Sequence, residues 1–108
     1  MRIELADVMW FEEHSVTLRE LSELCALPAA LLEELVSGGV ILPLESVATE
    51  PRFGAQALSA ARTARRLRED FELDTSGLML ALGLIDRVRD LERELRALRA
   101  RLPGTTSP

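Results

Sequence analysis

The sequence has no lysine and no tyrosine, and only one cysteine, one histidine and one tryptophan among its 108 residues. Each shortage closes off a chemistry. Without lysine there is no Schiff-base amine and no phosphate-binding lysine of the P-loop kind. Cys25 and His14 alone cannot build a Cys/His metal cage, and a single cysteine cannot form an internal disulfide. No GxGxxG or GxxxxGK[ST] pattern occurs. Long apolar runs are missing as well. The longest, LMLALGLI from Leu78 to Ile85, has eight residues, whereas a bilayer span needs about 20. Met1-Arg2 leads into acidic residues rather than an apolar leader segment. The expectation is a cytoplasmic protein with no cofactor and no metal.

What the chain does have is charge, unevenly spread. All 13 basic residues are arginine, against 18 acids, for a net charge of −5. Residues 1–53 hold three arginines and ten acids, net −7, while residues 54–108 hold ten arginines and eight acids, net +2. Apolar residues make up 47% of the chain, enough for one globular domain over 1–102 with a frayed tail at 103–108. At this length the core is small, so burial against a partner or a second copy adds usefully to stability.

The expected class is mainly α. Thr17 followed by Glu20 fits a capping box, and Leu18, Leu21, Leu24 and Cys25 recur at helical spacing behind it. Ala26-Leu27-Pro28 breaks that helix, and Pro28 suits the first turn of a second one. Leu31, Leu32, Leu35 and Val36 give the second helix an apolar face, and Gly38-Gly39 stops it. Residues 17–38 thus read as a helix-turn-helix. Val40-Ile41-Leu42 reads as a strand, with 47–53 pairing to it, so that 40–53 form a small β wing. A further short strand is suggested by alternation over residues 2–11. Helical period returns over 54–71, with Arg65–Glu69 and Arg66–Asp70 spaced as i,i+4 pairs. Asp74 caps a last helix, 75–102, with Leu73 and Leu78 stapling its start.

That last helix reads in two parts. Residues 78–85 are apolar almost all round, which predicts burial. Beyond them a narrower stripe runs through Leu84, Val88, Leu91, Leu95, Leu98 and Leu102 at alternating spacings of four and three. Val88, Leu95 and Leu102 occupy heptad a positions, and Leu84, Leu91 and Leu98 occupy d positions. The stripe predicts a homodimer interface. In a parallel pair, Arg87 of one chain faces Glu92 of the other, and Glu94 faces Arg99. The pattern leaves parallel and antiparallel arrangements open.

Nothing in the sequence assembles a catalytic group. His14 stands beside Glu12 and Glu13 just ahead of a helix cap and reads as a surface residue. Cys25 closes an apolar helix face and reads as a small core residue. A winged helix-turn-helix is a DNA-binding shape, but the chemistry opposes that use. A reading helix needs Arg, Lys, Asn or Gln for base edges and cations for phosphates. Here it reads PAALLEELVSGG, with Glu33 and Glu34 and no base. The arginines of RTARRLRED could grip phosphate, yet Glu69, Asp70 and Glu72 neutralise much of that charge nearby. An acidic reading face suits a basic protein partner. The candidate contact residues are Glu20, Glu23, Glu33 and Glu34, with Glu12 and Glu13 upstream.

Two blocks carry a family resemblance. SVTLRELSELCALPAALLEELVSGGVILP resembles the first half of a MerR-like domain. RTARRLREDFELDTSGLMLALGLIDRVRDLERELRALRARL, with its Phe-Glu-Leu-Asp turn and leucine-rich last helix, is similar to the chaperone modulator CbpM family. The match spans roughly residues 13–102. It implies a MerR-like winged helix-turn-helix followed by two longer helices. It also implies a small, dimeric, non-enzymatic bacterial protein. Such a protein binds the J-domain of a CbpA/DnaJ-type co-chaperone and inhibits its productive action with the Hsp70 chaperone DnaK. J-domains engage Hsp70 through a basic helix, which fits an acidic competitor. A MerR-like DNA-binding transcriptional regulator is the alternative.

Overall fold

A computed structural model of the chain describes residues 14–44 and 50–102. Its elements run β1 (Val16–Thr17), α1 (Leu18–Cys25), α2 (Ala29–Ser37), β2 (Arg52–Phe53), α3 (Ala55–Phe71) and α4 (Thr75–Arg101). The strand suggested for residues 2–11 lies outside the described residues, as do Glu12 and Glu13 and the tail.

Local chemistry sets the helix ends. The Thr17–Glu20 box is formed: the Glu20 amide donates to Thr17 Oγ1 at 3.2 Å, and the Thr17 amide donates to Glu20 Oε1 at 2.9 Å. Ala26, in the left-handed region at φ 52°, turns the chain out of α1. The Leu27 amide closes that turn on the Ser22 carbonyl. Pro28 serves as the N-cap of α2, one residue ahead of the helix, and its carbonyl accepts from Leu31 and Leu32. At the far end of α2, Gly39 takes φ +78°, where a side chain is strained. The amides of Val40 and Ile41 then both donate to the Leu35 carbonyl.

Those last two bonds change the wing. Val40-Ile41-Leu42 is not a strand, because its amides close the end of α2 instead of entering a ladder. The Arg52–Phe53 strand pairs antiparallel with Val16–Thr17, in the register Val16 to Phe53 and Thr17 to Arg52. Val16 and Phe53 both point into the core, so burial fixes this long-range register. On the other edge of β2, the Leu44 amide donates to the Arg52 carbonyl at 2.8 Å. Segment 40–42 is held by a side chain: the Leu42 amide donates to Gln56 Oε1 at 2.8 Å, and Gln56 Nε2 donates to the Val40 carbonyl at 3.2 Å. Gln56 thus stands in for a strand partner. Replacing it with leucine is expected to cost about 1–2 kcal/mol, because a partly buried carbonyl loses its donor. Urea denaturation measures this, with faster exchange of the Leu42 amide as the local signature.

Leu21, Cys25, Leu32, Leu35, Ile41, Phe53, Leu58 and Leu78 are fully buried and join Ala57, Ala61 and Ala64 in one core. Leu24 is exposed, off the α1 face that packs. Three residues join α3 to α4. Glu72 takes the left-handed conformation, and Asp74 Oδ1 caps α4 by accepting from the Gly77 amide at 2.8 Å. This short connection keeps α3 and α4 in contact.

The expected burial of 78–85 holds on one side only. Leu78 and Leu82 enter the core, but Leu80 is 67% exposed and Leu84 56%. At 3.6 residues per turn, one body cannot cover both flanks of a helix that lies on its surface. From Asp86 to Leu102 every residue is exposed. With 27 residues, α4 is about 40 Å long and overhangs the domain. The chain's longest dimension is accordingly 51 Å.

Candidate functional site

The acids predicted to face a partner fall into two groups. On α1, the Glu20 carboxylate is committed to the capping box. Its pKa is held below the ordinary carboxylate value by the bond from the Thr17 amide, with the Thr17 hydroxyl next. Glu23 pairs with Arg19 at 3.6 Å across an exposed turn. On α2, Glu33 and Glu34 are exposed, and their carboxylates make no hydrogen bond or ion pair among the described residues. Glu34 opens the last turn of a helix that has no base there, so its charge adds to the negative end of the helix dipole, and Glu33 stands at the helix midpoint.

Glu33 and Glu34 line a groove of about 510 Å³ between α2 and the first turns of α4. Ala30 and Ser37 complete its α2 wall, and Thr75, Ser76 and Met79 form the other. The Met79 thioether lies over Gly38, where an added Cβ would come within 2.7 Å of the sulfur. Sequence reading had no signal for Ser37, Thr75, Ser76 or Met79, because the groove exists only once α2 and α4 meet. A second groove, of about 380 Å³, lies where α3, α4 and segment 40–42 converge. Its floor includes Val40, Leu82 and Ile85, and its rim carries both charge signs, Asp86 and Asp90 with Arg89 and Arg93.

The predicted dimer residues Leu84, Val88, Leu91, Leu95, Leu98 and Leu102 are all 45–57% exposed along α4. Leu80 extends their stripe by one turn toward the domain.

Some of the cations that a DNA reader would need are engaged elsewhere. Arg52 donates from Nε to Ser15 Oγ at 3.0 Å and from its terminal nitrogen to the Ser15 carbonyl at 2.6 Å. Arg65 pairs with Glu69 at 2.9 Å, and Arg93 pairs with Asp90. No ion pair joins Arg66 to Asp70 among the described residues. Arg62 lies against Cys25 and offsets part of the effect of burial, which pushes the Cys25 thiol up. The folded protein is therefore expected to resist Ellman's reagent at mildly alkaline pH, with its single thiol titrating only as the chain unfolds in urea. No group of three or more potential metal ligands occurs among the described residues, and no described helix is long and apolar enough to cross a membrane.

The family of MerR HTH regulatory proteins matches residues 16–100, the span from β1 almost to the end of α4. The chaperone modulatory protein CbpM of Salmonella paratyphi A (strain ATCC 9150 / SARB42) is 41% identical over 71 residues, covering 66% of this chain and 70% of that protein. CbpM of Escherichia coli O1:K1 / APEC is 39% identical over the same length and the same shares. With the MerR-type match over most of its length and these identities to proteins named as chaperone modulators, the chain belongs to the CbpM chaperone-modulator family within the MerR-type helix-turn-helix proteins.

Proposed function

We propose that this chain is a non-enzymatic chaperone modulator. It binds the J-domain of a CbpA/DnaJ-type co-chaperone in the cytoplasm and, by occupying it, inhibits productive action with the Hsp70 chaperone DnaK. It acts as a homodimer joined through the α4 stripe. Membership of the CbpM family supports the chaperone role. The observation that carries the J-domain reading is the acidic surface of the helix-turn-helix. Glu33 and Glu34 stand on the helix that a DNA reader would insert into the major groove, where phosphates would repel them. A basic helix of a protein partner meets the same surface with attraction.

The test is a pair of calorimetric titrations at moderate salt, one with the cognate J-domain and one with duplex DNA from the promoter of the chain's own operon. The expected result is saturable J-domain binding and none to DNA, with E33K/E34K weakening the J-domain complex. In parallel, the chain is expected to lower co-chaperone-stimulated ATP hydrolysis by DnaK. Tight DNA binding without J-domain binding would replace this reading with transcriptional regulation.

A further inference from the structure

We propose that the groove between α2 and the start of α4 is a socket for a single arginine or lysine side chain on a helix of the protein partner, one socket per chain. This rests on the protein-partner reading above and locates its contact. Three observations converge on the groove. Of the four described acids on α1 and α2, Glu20 and Glu23 already have intramolecular partners, whereas Glu33 and Glu34 have none among the described residues. Glu34 stands in the last turn against the dipole of its own helix, with Glu33 beside it, and a bound cation relieves that arrangement. The other wall offers the half-buried Met79 thioether. A long basic side chain lays its aliphatic stem along such a surface while its charged head reaches carboxylates, and the small Ala30, Ser37 and Ser76 leave it room.

The socket is also independent of self-association. Around α4, Thr75 lies about half a turn from the leucine stripe, Met79 a little over a third of a turn and Ser76 about a quarter. None of the three belongs to the stripe from Leu84 through Leu102.

The experiment titrates the full chain with the J-domain of the cognate co-chaperone and compares four variants by calorimetry, with circular dichroism confirming each fold. Ala30→Trp fills the groove without changing charge, and Glu33→Gln with Glu34→Gln removes its charge without changing shape. All three positions are exposed, so the helix is retained. Each is expected to weaken binding at least about tenfold, the loss of one charge-assisted hydrogen bond. Glu20→Gln with Glu23→Gln, which keeps the capping box, is expected to cost clearly less. Leu91→Asp with Leu95→Asp is expected to bind as a monomer with one J-domain per chain. Wild-type affinity in the Ala30→Trp variant would overturn the socket while leaving the J-domain reading intact. Equal losses from the two glutamine pairs would also overturn it, because a diffuse acidic field does not distinguish them. Loss of binding in the monomeric variant would overturn a socket contained in one chain. A wild-type chain that ignores the J-domain would overturn both readings.

Discussion

Aspartate at Leu91 and Leu95 together is expected to leave a folded monomer of about 12.0 kDa by light scattering, with the unaltered chain expected at about twice that mass. The size of the effect follows from what the stripe lacks inside one chain. Every residue from Asp86 to Leu102 is exposed, so α4 gains little from its own domain there, and its leucines are half uncovered. Pairing two such helices buries the uncovered half of each leucine, about 0.7–1.5 kcal/mol per side chain. Two substitutions per chain remove four of these contributions and place four carboxylates in an apolar seam, which raises the dissociation constant by at least about a thousandfold. The domain itself should survive, because neither position touches the core. Circular dichroism should show helix retained near the body and fraying in the overhang. A dimer that persists would place self-association off this stripe.

The second large effect is on the fold. Leu32→Ala is expected to lower stability by about 3 kcal/mol and the melting temperature by about 15 °C. Leu32 is completely buried where α2 meets the rest of the core. So small a domain has little redundancy, and a cavity there cannot collapse without moving α2. Leu24→Ala, one helix earlier and half exposed, is the control, with an expected loss under about 1 kcal/mol. Equal losses at the two positions would mean that the packing of α1 and α2 differs from that described.

Much of this architecture was legible in the sequence because it is local. The Thr17–Glu20 box, the Asp74 cap and the Gly38-Gly39 stop are each set by residues within a few positions of one another. The stripe from Leu84 to Leu102 was legible because heptad spacing survives whatever the rest of the chain does. The wing was misread for the opposite reason. Val40-Ile41-Leu42 has strand composition, but its amides are captured by the Leu35 carbonyl and by Gln56, and a glutamine fourteen residues away leaves no periodic trace. The uniform apolar character of 78–85 was misread as full burial because composition does not say how many sides of a helix are covered.

By itself, then, the sequence determined the family, the order of the helices and their caps, the acid-rich front and the leucine stripe, since these depend on residue type and short spacing. Only the tertiary structure decided that Val16–Thr17 pairs with Arg52–Phe53, that Leu80 and Leu84 face outward, and that Glu20 and Glu23 are already engaged while Glu33 and Glu34 border an open groove. The reason is physical. Charge and pattern belong to residues, whereas pairing, coverage and vacancy belong to surfaces that exist only after distant segments have met.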